Sequence, residues 1–231
     1  MNAKPENMDR ATLNAADKLR FYHARDIALA SLLYLSSGRI NEVLRVTHDQ
    51  LVEDEEDPSG FWVVKQFYVS KRSRGGVKVK LVKTGEIDPA TQLPIYERRE
   101  KVLKPKPHPT PDIPLPRVGK LSPFSKAVMD YVAMIGPGEK LFSFSKSRAL
   151  AIVDVITGGD PPRVRAEKRA AGIEYTHGFF THLIRAQSFS YQVNTIKSTI
   201  AVAQSRGIEN PNTLSKYYTG SWREHAEELK K

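Results

Sequence analysis

From residue 19 to 35 apolar side chains recur at helical spacing, with Ile27, Leu29, Leu32, Leu33 and Leu35 forming a broad apolar face. Ser36, Ser37 and Gly38 interrupt the pattern. Ile40, Val43 and Leu44 resume it at i, i+3 and i+4, which predicts a second, short helix. The period then changes. Residues 61–71, FWVVKQFYVSK, are rich in β-branched and aromatic side chains and read as a strand. Residues 73–76 supply a turn, and VKVKLVK (77–83) alternates as the partner strand of a β-hairpin with a basic tip. Residues 84–120 show no period and carry the run KPKPHPTPDIPLP, which predicts a long surface loop whose last residues can form a third strand. Helical spacing returns at 122–135 and 146–157, and a basic helix is expected over 163–171. Residues 182–207 read as one or two helices. Asn210-Pro211 signals a further helix start, running through Tyr217. The expected class is α+β: one mostly helical domain over 19–220 with a small antiparallel β-element, between a flexible arm (1–18) and a polar tail (221–231).

Composition narrows the setting. The 231 residues are 40% hydrophobic and 27% charged, too apolar for a disordered chain. The absence of cysteine excludes a disulfide scaffold and thiolate metal sites and fits a reducing compartment. No apolar run reaches the roughly 20 residues that span a bilayer. The polar, acid-containing first 20 residues are unlike a signal or transit peptide. The expectation is a soluble intracellular protein without a membrane partner.

Charge changes the picture further, because the net +10 is unevenly spread. Residues 1–59 hold 7 basic and 11 acidic side chains, residues 60–120 hold 14 and 5, and residues 161–231 hold 11 and 6. Two basic segments flank a balanced one, and a polyanion such as nucleic acid is the natural partner.

No phosphate-cradling glycine loop, zinc-spaced histidine pair or GxSxG elbow is present. What stands out is an ordered set: Arg39 at the start of the second short helix, Lys71 at the hairpin tip, His182 and Arg185 one turn apart, and Tyr217-Tyr218 near the end. Each alone is commonplace for a surface ion pair, a solvated lysine or a core aromatic.

Together their order resembles the catalytic domain of the tyrosine recombinase (phage integrase) family. ALASLLYLSSGRINEVLRVTHDQL (28–51) resembles the opening box, with Arg39 and Glu42 in its paired positions. THLIRAQ (181–187) resembles the second box, and NPNTLSKYYTG (210–220) the box that holds the nucleophile. The resemblance covers about residues 19–220. It implies a site-specific recombinase or integrase that cleaves and rejoins double-stranded DNA through a covalent 3′-phosphotyrosine, with no metal and no cofactor. It gives Arg39 and Arg185 the phosphate, Lys71 the departing 5′ oxygen, His182 proton transfer or a phosphate contact, and Tyr217 the attack on phosphorus. Arg72 and Arg74 become backbone contacts. Self-assembly into a dimer or tetramer on DNA is implied, in a cytoplasmic, nucleoid-associated protein such as a virus or other mobile element encodes. The chemistry suits these residue types. Guanidinium groups stay protonated and donate paired bonds to a phosphate whose charge grows in the transition state, and an aligned phenol can form a phosphate ester.

Several points stay open at this level. Tyr218 is the alternative nucleophile, and Lys65, Lys78 and Lys80 are alternatives to Lys71. The family carries a His or Trp after the glycine nine positions before its tyrosine; here Ile208 follows Gly207, and Ile208 cannot donate to phosphate. Trp222 or His177 could substitute. With only residues 1–18 before the domain, the chain is expected to be a catalytic fragment or a minimal single-domain member, binding DNA weakly and in a salt-sensitive way. A DNA-binding protein with weakened catalysis on the same fold, or a type IB topoisomerase-like strand transferase, are the alternative readings.

Overall fold

The computed structural model describes residues 14–69, 76–103, 110–208 and 210–217. The fold is α+β. The chain divides into two compact units, one built from residues up to 69 and from 110 onward, the other from 70–109.

In the larger unit, α1 (Ala15–Ser36) is the central element. Asn14 caps it, its side-chain oxygen accepting from the Asp17 N–H at 2.9 Å. The helix therefore starts within the segment expected to be a flexible arm. Phe21, Ala28, Leu29, Leu32, Leu33 and Leu35 are buried along it, packed with α3 (Ser122–Val132), α4 (Lys146–Ile156) and α6 (Thr181–Ile196). α1 ends where Ser37 turns left-handed (φ 50°). Gly38 follows because nothing larger fits: a Cβ there would lie 2.7 Å from Ser36 Oγ and 2.8 Å from Phe67 Cζ. The chain then enters α2 (Ile40–Val43) with Arg39 at its N-cap.

A three-stranded antiparallel sheet packs into the same core. Its strands are β1 (Leu51–Glu53), β2 (Phe61–Val64) and a later strand at Ile113–Pro116, in spatial order with β2 in the middle. Leu51 pairs with Val64, and Val64 with Ile113. The prolines at 114 and 116 are tolerated because their strand is an edge. The remaining helices among the described residues are α5 (Pro162–Ala170), α7 (Thr199–Ser205), a 3-10 helix over His48–Gln50 and a 3-10 helix over Pro211–Tyr217. Phe189, Val193, Val202, Ala203 and Leu214 form a second, small core under the last of these, with Ile208 packed against it. No helix among the described residues is long and apolar enough to cross a membrane.

The smaller unit is a hairpin of β3 (Gly76–Ile87) and β4 (Pro94–Leu103), which makes the edge strand of the larger unit β5. Here the expected pairing is corrected. Residues 77–83 do form a strand, but its partner is β4 and not 61–71. The reason is edge availability: β2 is already bonded on both sides, by β1 and β5, and has no free edge for β3. β2 also stops at Val64, before Gln66 turns left-handed (φ 51°). Residues 84–120 are accordingly not one irregular loop, since they contain β4 and β5. The expected third strand at the end of that stretch is present as β5.

Candidate active site

The site is organised by one buried carboxylate. Glu42 is 1% exposed. Its Oε2 accepts the Arg39 backbone N–H at 2.6 Å and its Oε1 accepts Arg39 Nη1 at 2.8 Å. The i, i+3 spacing makes this clasp local: the first turn of α2 brings Glu42 back over its own N-cap. Arg185 arrives from α6, 146 positions later in the chain. Its Nη1 lies 3.8 Å from Glu42 Oε2 and donates to the Ser37 carbonyl. Its guanidinium also sits 4.7 Å from the centre of the Phe189 ring. Neither arginine is sealed: 36% of the Arg39 side chain and 21% of that of Arg185 remain accessible.

A second set of side chains holds the turn in which Arg39 sits. Ser37 and Ser188 pair their hydroxyls at 2.6 Å, and Ser188 donates to the Tyr34 carbonyl. The Gln192 amide donates to both hydroxyls at 2.9 Å. Its own oxygen accepts Arg206 Nε at 3.0 Å, which fixes the orientation of the amide. One proton ordering satisfies Ser37, Ser188 and the Gln192 amide together: Ser37 gives to Ser188, and Ser188 to Tyr34. Burial, then the Arg185 charge, pulls the Arg206 guanidinium down to about 10, so it is still a cation at neutral pH.

The residues expected from sequence fare differently. Arg39 and Arg185 come together on Glu42. His182 lies three residues before Arg185 on α6, exposed, its ring nearly parallel to that of Phe180 with centroids 6.1 Å apart. Tyr217 closes the 3-10 helix whose Leu214 is buried in the small core with Phe189 of α6. Lys71, Arg72 and Arg74 lie outside the described residues, as do Tyr218 and Trp222. Lys65, offered as an alternative to Lys71, forms a salt bridge with Asp112 at 3.3 Å. His177 is exposed between Tyr175 and Phe180, 5.1 and 6.1 Å from their ring centres.

Sequence reasoning passed over Ser37, Ser188, Gln192 and Arg206. A signal for two of them exists. Ser188 and Gln192 fall three and seven positions after Arg185, on the same face of α6, and both are buried.

A scan against protein-family models finds no match to this chain, and a search of curated proteins finds none.

Proposed function

We propose that this chain is the catalytic domain of a tyrosine recombinase, cleaving and rejoining double-stranded DNA through a 3′-phosphotyrosine. One observation carries the reading: two arginines from distant parts of the chain converge on a single buried carboxylate while keeping part of each guanidinium accessible. Such a pair supplies fixed, permanently charged donors for a phosphodiester and for the extra charge of its transition state. In the proposed step the Tyr217 phenol oxygen bonds to phosphorus as the bond to the 5′ oxygen breaks. His182 accepts the phenol proton and, once charged, can also hold the phosphate. Lys71 gives a proton to the departing oxygen. The ester keeps the energy of the broken bond, so the reverse attack reseals the strand without ATP.

The test is a duplex carrying a nick beside the cleavage point, from which the short leaving strand is lost. The unmutated protein is expected to become covalently attached, seen as a slower band on a denaturing gel. Tyr217→Phe should abolish the band and keep non-covalent binding, and Tyr218→Phe should keep the band. Loss of the band in Tyr218→Phe alone moves the nucleophile to Tyr218.

One observation favours a second reading, a DNA-binding protein with weakened catalysis. Ile208 packs against the small core, so the position that carries a polar donor in the resembled family is apolar and half-buried here. Retention of duplex by gel shift with no covalent band on any nicked substrate selects that reading.

A further inference from the structure

We propose that Arg206 is a third arginine of the phosphate site, donating to the phosphate held by Arg39 and Arg185; this rests on the reading above. Its guanidinium is unfinished. Nε is satisfied by Gln192, but Nη1 is buried and has no hydrogen-bond partner among the described residues. A buried N–H without an acceptor is costly, and a charged one more so. An anion beside Arg185 removes that cost.

Charge points the same way. Arg206 is close enough to Arg185 for the two charges to oppose each other. Among the described residues, Arg39, Arg185 and Arg206 stand on this network with one buried carboxylate, Glu42. Like charges brought close together repel, and an added anion offsets that repulsion. A phosphodiester brings one negative charge and its transition state close to two, so the third guanidinium gains most as the reaction proceeds.

The backbone explains why Arg206 is the residue available. Gly207 is left-handed (φ 61°), and it separates two side chains with different fates. Ile208, after it, packs against the small core. Arg206, before it, reaches Gln192 and through that amide the Ser37 hydroxyl, in the turn whose carbonyl holds Arg185. The donor that Ile208 cannot supply is offered two residues earlier.

The experiment measures adduct formation on the nicked duplex for the unmutated protein, Arg206→Gln and Arg206→Lys. Each is also tested on a duplex whose cleavable phosphate is a methylphosphonate, which lacks the negative charge. Arg206→Gln should slow the adduct about 100-fold or more on phosphate. Arg206→Lys should recover part of the rate. The penalty should shrink to a few-fold on methylphosphonate; a loss of packing alone would persist on both. A threefold or smaller effect on phosphate, or an equal penalty on both substrates, overturns the proposal.

A second arm separates this proposal from the functional reading. Inorganic sulfate should raise the unfolding temperature of the unmutated protein, and both variants should lose at least half of that rise, Arg206→Lys included because its single point charge lacks the second donor. Should the unmutated protein form no adduct while the variants lose the sulfate effect, strand cleavage is refuted and the anion site stands. An undiminished sulfate effect in Arg206→Lys counts against the site even where Arg206→Gln fails to fold.

Discussion

The cluster around Glu42 and the hairpin of β3 and β4 both set arginines beside carboxylates, and the two carboxylate environments differ sharply in burial. Arg39 meets Glu42 at 2.8 Å with the carboxylate 1% exposed. On the hairpin, Arg98 meets Glu100 and Arg99 meets Glu97 at 3.0 Å, with more than half of each of these side chains in solvent. The distances are nearly the same and their worth is not. An exposed pair exchanges water for a partner at little net gain. A buried carboxylate with its water removed depends on its partners, and taking away either side leaves a charge or a donor stranded. The apolar side chains repeat the contrast. Leu32 of α1 is fully buried, whereas Leu81 and Val102 of the hairpin are 63% and 75% exposed.

The largest effect expected from this contrast is at Glu42. Glu42→Gln keeps the shape but removes the charge that Arg39 and Arg185 share, and should cost about 3–5 kcal/mol of unfolding free energy in urea titration. Glu100→Gln on the hairpin should leave the urea midpoint where it is. Equal shifts for the two would mean that burial does not separate these pairs.

A step below that stands the apolar comparison. Leu32→Ala should cost about 3 kcal/mol by opening a cavity among α1, α3 and α4. Leu81→Ala should fall within about 0.5 kcal/mol of the unmutated chain. A hairpin effect as large as the core effect would show that Leu81 is covered in solution.

These contrasts also mark what could be read from the sequence. Helical periodicity is enough for α1 and α3, which bury apolar residues against each other. The clasp of Arg39 by Glu42 was legible too, since both partners lie within one turn. The hairpin was misread for two reasons. β4 reads YERREK through its middle, with charges on both faces and no apolar period to betray a strand. And strand pairing is decided by which edges are free, which depends on β5 closing over β2 from fifty residues away. Arg206 is not legible in the sequence on similar grounds. A charged residue at the end of a helix looks solvent-facing until the Gln192 amide is laid against it.

The smallest expected effect tests whether the two regions unfold together. Asp49 and Asp88 both have carboxyls held below the usual 3.8, and by different reach. For Asp49 the main cause is the N–H of Gly138, 89 positions away, followed by the His48 ring. For Asp88 it is the N–H of Ala90 and then the Thr91 hydroxyl, inside one turn. A carboxyl depressed in the folded state stabilises above its unfolded value, and that stabilisation is lost as pH falls through the lower, folded value. Asp49 ties the segment after α2 to the loop after α3, so its protonation weakens the larger unit as a whole. Asp49→Asn should therefore flatten the acid limb of the urea midpoint as pH falls through and below 3.8. Asp88→Asn should leave that limb unchanged and instead speed amide exchange within 76–103. If Asp88→Asn flattens the limb as much as Asp49→Asn does, the hairpin unfolds with the rest of the chain, and its exposure does not translate into independence.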